Sequence, residues 1–264
     1  MQDLNISIIQ SFLHWENKEK NFSMFEKKIA SIKEASDLII LPEMFNTGFS
    51  MHPEKLAEEQ EGITLEWMKS QAIEKDCVIC GSYIVKENND FFNRLVFVNQ
   101  EGSFQYYDKH HLFRMGNEHE SFSQGKERII VEYKSWKILP QVCYDLRFPV
   151  WSKNNFVENR FDYDLIIYVA NWPAVRSKAW KALLKARAIE NQAYVVGVNR
   201  IGCDGNDKNH SGDSRIIDPL GQNIAKIKSN TEGIKSVKLS YKELKEYRES
   251  FAVGLDWDSF EVVK

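Results

Sequence analysis

The sequence predicts an α/β protein in which two β-sheets are enclosed by outer helices. Short apolar runs typical of strands alternate with longer amphipathic segments over the 264 residues. The tetrapeptide DLII begins a predicted strand at 37–40 and another at 164–167, so both halves of the chain share one pattern. No run rich in Pro, Ser or Gly separates the halves. We therefore expect a single domain over 1–264, a length that one α/β unit commonly reaches.

Each element of the first half follows from the spacing of its apolar residues. The predicted order is strand 5–13, helix 17–35, strand 37–45, helix 63–75, strand 77–85 and a hairpin that turns at 100–102. In the first helix Phe22, Phe25, Ile29 and Ile32 recur at steps of three and four residues, which places them on one face. The strand at 37–45 is continuously apolar before its polar end, as expected of a strand buried on both faces.

The second half repeats the alternation of strand and helix. The predicted order is a strand ending at Cys143, a strand ending near Asn171, helix 176–192, strand 194–200, hairpin 214–227 and strand 233–240. In the helix, the residues that recur at helical steps are Trp180, Leu183, Leu184, Arg187 and Ala188.

Composition and charge exclude several classes of function. Lys and Arg number 35 and Asp and Glu number 38, so the formal net charge is -3, unlike that of a protein with a basic surface for nucleic acids. No apolar run approaches the ~18 residues of a membrane-spanning helix. The N-terminal segment gains polar and charged residues too early for a signal peptide. We therefore expect a cytoplasmic protein with reduced thiols at its four cysteines and no nucleic-acid or membrane partner.

Three reactive side chains lie where predicted strands end. Glu43, Lys109 and Cys143 each follow an apolar or aromatic run, and the carboxyl ends of buried strands carry the functional groups of many α/β proteins. Together a carboxylate, an ammonium and a thiol supply the general base, the oxyanion stabiliser and the nucleophile of acyl transfer. Each residue also has a simpler interpretation, in which Cys143 is a small buried apolar side chain and the two charges are solvated.

The segments around these residues resemble the three signature segments of the nitrilase (carbon–nitrogen hydrolase) superfamily. The segments are LPEMFNTGF, YDKHHLF and VCYDLRFP. The likeness covers essentially the whole chain and implies a four-layer α-β-β-α sandwich with a Glu–Lys–Cys triad and no metal or cofactor. Four further runs resemble most closely the bacterial omega-amidases, which hydrolyse the terminal amide of 2-oxo dicarboxylic monoamides such as 2-oxoglutaramate. These runs are LFRMGNEH, YVANWPAVRSKAW, KARAIENQAYVVGVNRIGCDG and GDSR.

The resemblance implies a role for each residue of the motifs. Cys143 would be the nucleophile, and Glu43 would be the general base that takes the thiol proton and later activates water. Lys109 would hold the oxyanion together with the backbone N–H of Tyr144. Glu118 matches the position of a second family glutamate, which implies that it orients Lys109 or the substrate amide.

The same resemblance leaves the residues that bind the substrate more open. A terminal carboxylate requires a guanidinium or several backbone donors, and Arg147 and Arg176 are the candidates, with Trp172 and Phe49 as pocket walls. An alternative for Arg147 is a local ion pair, with Asp145 or another nearby acid, that merely braces its loop. The chain also departs from many relatives at Val150, where the superfamily often has Glu.

Other functions and sites were weighed against the amidase interpretation. Alternative substrates are a nitrile or an N-carbamoyl amine, and alternative functions are a non-catalytic binding protein and a papain-like hydrolase with a Cys–His pair. The CxxC motif of Cys77 and Cys80 lies in a predicted strand and indicates core packing, while Cys203 lies in a loop. The resemblance further implies a homodimer, to which the tail with Trp257 and Phe260 would contribute.

Overall fold

The predicted alternation of apolar runs produces sixteen strands and seven helices in the computed structural model, which describes residues 2–262. The strands are β1 (Leu4–Gln10), β2 (Leu38–Ile40), β3 (Val78–Glu87), β4 (Asp90–Val98), β5 (Phe104–Asp108), β6 (Val131–Tyr133), β7 (Trp136–Val142), β8 (Phe156–Val157), β9 (Arg160–Phe161), β10 (Leu165–Ala170), β11 (Tyr194–Asn199), β12 (Ile201–Cys203), β13 (Asn209–Ser211), β14 (Arg215–Ile217), β15 (Asn223–Lys226) and β16 (Gly233–Leu239). The helices are α1 (Lys18–Ala30), α2 (Pro53–Leu56), α3 (Ile63–Lys75), α4 (Glu118–Ser121), α5 (Pro149–Ser152), α6 (Ser177–Asn191) and α7 (Tyr241–Ser250). Short 3-10 helices lie at Arg114–Gly116, Cys143–Arg147, Ala174–Arg176 and Val253–Asp256.

Two six-stranded sheets form the centre of the molecule. The first has the order β16-β1-β2-β3-β4-β5 and the second has the order β15-β14-β11-β10-β7-β6. In the first sheet β1, β2 and β3 are parallel, and in the second β7, β10 and β11 are parallel. Each sheet is extended at both edges by antiparallel strands. In the first sheet β16 pairs with β1 and β4 pairs with β3, and in the second β6 pairs with β7 and β14 pairs with β11.

The side chains of successive strand residues divide between an inner and an outer core. Ile6 and Ile8 of β1 belong to a buried cluster that joins the two sheets, whereas Ile9 packs with the cluster under α1 and α3, as the two-residue period of a strand requires. On the other side Trp180 and Leu184 of α6 pack against the second sheet. The helices therefore cover the outer faces of two packed sheets, and the predicted α-β-β-α sandwich is confirmed.

The predicted strand over 37–45 is wrong in its second half. Only β2 (Leu38–Ile40) pairs with its neighbours. Beyond its end, the backbone N–H groups of Leu41 and Phe45 donate to the carbonyl groups of Cys80 and Ser82. Pro42 has no N–H for a ladder hydrogen bond, and Met44 has a φ of 42°. The apolar run continues through a tight turn, and this turn carries Glu43.

The predicted helix over 176–192 begins one residue later, at Ser177, because the preceding turn is a separate 3-10 helix. Helix α7, which the charged composition of the tail did not predict, docks on the second sheet through Leu244 and Arg248. Within residues 2–262 no helix is both long and apolar enough to span a membrane. Residues 1, 263 and 264 of the predicted single domain lie outside the described residues.

Candidate active site

Loops from both sheets meet at the edge where the parallel strands end. In the first sheet the turn after β2 carries Glu43, and Lys109 follows β5 directly. In the second sheet Cys143 follows β7 directly and Asn171 follows β10 directly. Because β5 runs in the same direction as β2 and β3, all four residues leave their sheets at one end.

A buried ion cluster holds three of the residues that the sequence singled out. The Lys109 ammonium lies 2.9 Å from Glu43 Oε1 and 2.9 and 2.8 Å from the two carboxylate oxygens of Glu118. All three side chains are fully buried. Glu118 also accepts a hydrogen bond of 2.6 Å from the backbone N–H of Phe113, whereas the neighbouring Glu120 is exposed.

Two asparagines that the sequence analysis missed donate hydrogen bonds to Glu43. Asn93 Nδ2 donates to Glu43 Oε1 at 2.8 Å and to Glu118 Oε1 at 3.3 Å. The backbone N–H of Asn171 donates to Glu43 Oε2 at 2.6 Å, and its side-chain amide donates to the Glu43 carbonyl at 2.5 Å. Asn171 could have been found from its position directly after an apolar strand, but Asn93 lies within a strand where no local signal marks it.

The backbone around Lys109 is held as firmly as its side chain. The Lys109 N–H donates to the Asn93 carbonyl at 3.0 Å, and the Lys109 carbonyl accepts from the Gly125 N–H at 2.9 Å. A Cβ atom at Gly125 would lie 2.0 Å from the Asp108 carbonyl oxygen. Only glycine allows this close approach.

Cys143 begins a 3-10 helix with a strained backbone. Its φ of 46° is unusual for a residue other than glycine and costs ~1–2 kcal/mol. The turn is anchored from α6, where Arg187 Nη2 donates to the Leu146 carbonyl at 2.6 Å. The first N–H groups of such a helix have no acceptor inside it, and the Tyr144 N–H is one of them.

The cluster sets the protonation states of the site. Burial raises the pKa of the Cys143 thiol well above its ordinary value; the Glu43 carboxylate raises it further, and the Lys109 ammonium opposes both. Burial alone would lower the pKa of Lys109, but the carboxylates of Glu118 and Glu43 raise it above its ordinary value. At neutral pH the thiol is therefore protonated and the lysine is charged.

A cavity of about 650 Å³ opens over Cys143. Its walls include every residue that the sequence assigned to substrate binding, namely Phe49, Arg147, Trp172 and Arg176, together with Tyr144 and Asn171. Glu43, Lys109 and Glu118 lie behind this surface. The Lys109 ammonium faces the Phe49 ring, 5.1 Å from its centre.

The two arginines of the cavity wall contact rings rather than carboxylates. Arg147 lies 4.9 Å from the Trp172 ring centre and Arg176 lies 5.7 Å from that of Phe113. The alternative in which Arg147 pairs with Asp145 is wrong, because the Asp145 carboxylate is occupied by donors from His111, Tyr107 and the backbone N–H of Val142.

The remaining cysteines and histidines do not join the cluster. Cys77 and Cys80 are buried free thiols and Cys203 is an exposed one, although Cys203 ends β12 rather than lying in a loop. Among residues 2–262 no group of three His, Cys, Asp or Glu side chains is arranged to hold a metal ion. The charged groups that act on the Cys143 thiol are carboxylates and an ammonium, not the imidazole of a papain-like pair.

Comparison with known proteins finds full-length relatives. The chain is 44% identical over 260 residues to the omega-amidase YafV of Escherichia coli K12, covering 98% of this chain and 99% of the relative. It is 32% identical over 251 residues to the 2-oxoglutaramate amidase of Bacillus subtilis, covering 94% and 95% of the two chains. The crystal structure of XC1258 from Xanthomonas campestris, a CN-hydrolase superfamily protein with an arsenic adduct in its active site, superposes with a TM-score of 0.96. It is 44% identical, and the superposition covers 100% of both chains.

The family profile described as carbon-nitrogen hydrolase matches residues 5–249. This span includes both sheets and every residue of the buried cluster. The chain belongs to the carbon–nitrogen hydrolase family.

Proposed function

We propose that the protein is an omega-amidase, which hydrolyses the terminal amide of 2-oxoglutaramate and similar 2-oxo dicarboxylic monoamides to the acid and ammonia. The observation that carries the proposal is the buried Glu43–Lys109–Glu118 cluster behind Cys143, at the wall of a cavity with two arginines. The names of the relatives from Escherichia coli and Bacillus subtilis support the choice of substrate.

In the first half of the reaction Cys143 Sγ attacks the amide carbon while the thiol proton passes to Glu43. Proton transfer accompanies attack because burial keeps the resting thiol neutral. The oxyanion is held by the Lys109 ammonium and the Tyr144 N–H. When the C–N bond breaks, Glu43 returns the proton to the leaving nitrogen, ammonia departs and a thioester remains.

The second half of the reaction, hydrolysis of the thioester, uses the same groups. Glu43 deprotonates a water molecule, which attacks the thioester carbon, and the oxyanion again lies against Lys109 and Tyr144. The C–S bond then breaks, the sulfur takes the proton from Glu43, and the acid leaves. One carboxylate serves both steps because the Asn93 and Asn171 donors hold it in one position.

Glu118 orients Lys109 rather than the substrate amide. Both of its oxygens contact the ammonium, and the Phe113 N–H fixes its position. Both oxygens are thus occupied by donors of the protein itself, namely Lys109, Phe113 and Asn93. With two carboxylates on one side, the ammonium is held at the place where the oxyanion forms.

Arg147 and Arg176 bind the far carboxylate of the substrate. The Arg147 guanidinium lies 4.9 Å from the Trp172 ring centre, and Arg176 Nη2 donates to Met115 Sδ at 3.6 Å; within residues 2–262 neither side chain forms an ion pair. Neither guanidinium is therefore neutralised by a protein carboxylate, and both can bind a carboxylate that enters the cavity. The Trp172 indole N–H donates to the Arg176 carbonyl at 2.9 Å and joins the two sides of this subsite.

Ammonia release across a small panel tests the proposal. Wild type is expected to hydrolyse 2-oxoglutaramate much faster than glutamine, a nitrile or an N-carbamoyl amine, and C143A is expected to release none. R147M is expected to raise KM for 2-oxoglutaramate about ten- to a hundredfold, since hydrogen bonds to charged groups contribute ~1.5–3 kcal/mol.

C203A is the matched control, because Cys203 is exposed and lies outside the cavity; it is expected to retain wild-type activity. Full amide hydrolysis by C143A would overturn the mechanism. Faster turnover of the nitrile or the N-carbamoyl amine would overturn the substrate class, and release from no substrate would favour a binding protein.

The homodimer and the cytoplasmic location are also proposals, and the oligomeric state can be measured in solution. Phe260 is exposed, whereas Trp257 packs on Phe161 and lies 3.5 Å from the Lys153 ammonium in its own chain. Sedimentation velocity is expected to give twice the chain mass, and a strict monomer would contradict the proposed assembly.

A further inference from the structure

A further buried carboxylate, that of Asp145, lies behind the turn that carries Cys143. Asp145 is fully buried, and both of its oxygens accept two hydrogen bonds. Oδ2 accepts from the Val142 N–H and the Tyr107 hydroxyl, each at 2.9 Å. Oδ1 accepts from the backbone N–H of His111 at 2.9 Å and from His111 Nδ1 at 2.8 Å. The four donors come from two separate segments of the chain.

Those segments carry the two groups that must meet in the proposed reaction. Val142 directly precedes Cys143, while Tyr107 and His111 lie two residues to either side of Lys109. Asp145 therefore ties the lysine segment to the cysteine turn on both sides of the lysine.

Neighbouring contacts strengthen this connection. The Tyr107 hydroxyl accepts from Trp151 Nε1 at 3.0 Å and from the His110 N–H at 3.2 Å. The His111 ring stacks on Phe148, with 3.7 Å between ring centres and 4° between the planes. Trp151 and Phe148 both follow the cysteine turn, so the Trp151 hydrogen bond and the Phe148 stacking join the same two segments, while the His110 bond orders the lysine segment itself.

We infer that Asp145 is a positioning residue that fixes the Lys109 ammonium relative to the Cys143 sulfur. The inference rests on the proposed function. Asp145 is not part of the cavity wall, and its four acceptor positions are filled by protein donors, so it acts through the two segments and not on the substrate. Its bond to the Val142 N–H also holds the strand end from which the strained backbone of Cys143 begins.

A purely structural role for Asp145 is the competing explanation, and another buried carboxylate provides the control. Asp164 is also buried and accepts from Lys137 N at 3.1 Å and Arg248 Nη1 at 2.6 Å. It directly precedes β10, and thus lies at the end of that strand opposite to Asn171. D164N and D145N each place an amide NH2 group against hydrogen-bond donors of the protein. Only D145N does so next to the Cys143 turn.

The experiment measures kcat, KM and the alkylation rate of Cys143 by iodoacetamide, in a C203A background that removes the exposed thiol. For D145N we expect kcat for 2-oxoglutaramate to fall by about 10²-fold, the loss that a misplacement near 1 Å can cause. KM should change less than kcat, because D145N removes no side chain of the cavity wall. The alkylation rate should fall as well, whereas D164N should lower thermal stability and leave kcat and alkylation unchanged.

Y107F keeps the inference testable if D145N does not fold. It removes a single hydroxyl and should lower kcat in the same direction. Where both variants fold, the double variant should lose less than the product of the single effects, because both act through one connection.

A folded D145N or Y107F with wild-type kcat and alkylation rate would overturn the inference. Equal losses of kcat in D145N and D164N would also overturn it. Failure of wild type to hydrolyse any amide would instead reject the proposed function, and the alkylation rates would still test the positioning.

Discussion

Lys109 is a single buried cation that serves two carboxylates. Removing charges from water is costly, and the cost is offset only where the partners are close and well hydrogen-bonded. Here the ammonium contacts three carboxylate oxygens within 2.9 Å, and Asn93 and the Phe113 N–H satisfy further lone pairs. The cluster that we propose as the oxyanion site is therefore also one on which folding depends.

K109M is expected to lower the free energy of unfolding by about 3–5 kcal/mol near pH 7, as breaking a buried ion pair does. Burial already raises the pKa of Glu118, and Lys109 opposes this rise, so without the lysine the pKa rises further. A carboxyl group with a raised pKa in the folded state contributes stability that is present below its unfolded pKa of ~4.3 and is lost as the pH rises through the folded value. The destabilisation of K109M should therefore be smaller near pH 5 than near pH 7.

Urea unfolding of K109M at the two pH values measures this difference. K242M is the matched control, because Lys242 lies 3.6 Å from Glu246 in an exposed pair of α7, and such pairs contribute little. A K109M defect that is independent of pH would show that the pKa of Glu118 does not rise when the cation is removed.

At the scale of elements, the sequence predicts those helices and strands that are defined by the spacing of their own apolar residues. The bounds of α3 match the predicted 63–75, and the hairpins of β4–β5 and β14–β15 lie where their turn residues predict. The end of the strand at 37–45 was wrong because Pro42 ends the ladder within a continuous apolar run. Motif resemblance located Glu43, Lys109, Glu118 and Cys143.

The missed residues depend on pairing between distant strands. Asn93 reaches Glu43 only because β4 pairs with β3, next to the strand that leads to Glu43. Asp145 reaches Tyr107 because the two sheets pack face to face. Neither relation has a local period or a turn residue to indicate it.

Helix α7 docks through one buried arginine. Arg248 donates to Asp164 Oδ1 at 2.6 Å, to the Tyr163 carbonyl at 2.8 Å and to the Gln192 carbonyl at 2.9 Å. R248M is expected to lower the free energy of unfolding by about 3–5 kcal/mol, since it leaves the Asp164 carboxylate without its cation. It should leave kcat unchanged, because Asp164 lies at the opposite end of β10 from the site.

Chemical denaturation and steady-state kinetics of R248M test this separation. The R248M/D164N double variant should recover part of the lost stability, because the stranded charge is removed with its partner. A fall in kcat of folded R248M would show that α7 acts on the site.

At the scale of the whole molecule, the site exists only where the two halves of the chain meet. Glu43, Lys109 and Glu118 come from the first half and Cys143 and Asn171 from the second, and the Asn171 bonds to Glu43 join them. The first strand β1 pairs with the last strand β16, with Leu4 opposite Leu239, so the two ends of the fold are neighbours in one sheet. This pairing supports the proposal of a single domain.

The same packing predicts how stability depends on alkaline pH. Burial raises the pKa of Cys77 to about 12 and raises those of Cys80, Cys143, Tyr107 and Tyr163 well above their ordinary values. In the unfolded chain the cysteines titrate near ~8.5 and the tyrosines near ~10. Each raised pKa contributes stability that is fully present below the unfolded value and is lost as the pH rises through the folded one.

These groups should therefore make the free energy of unfolding fall as the pH rises through about 8.5, where the cysteines of the unfolded chain lose their protons. Urea unfolding across this range measures the slope. C80A removes one contributing thiol and should make the fall shallower, whatever its effect on stability at neutral pH. C203A removes an exposed thiol and should leave the slope unchanged. A slope that is the same in C80A and wild type would mean that the Cys80 thiol ionises as readily in the folded protein as in the unfolded chain.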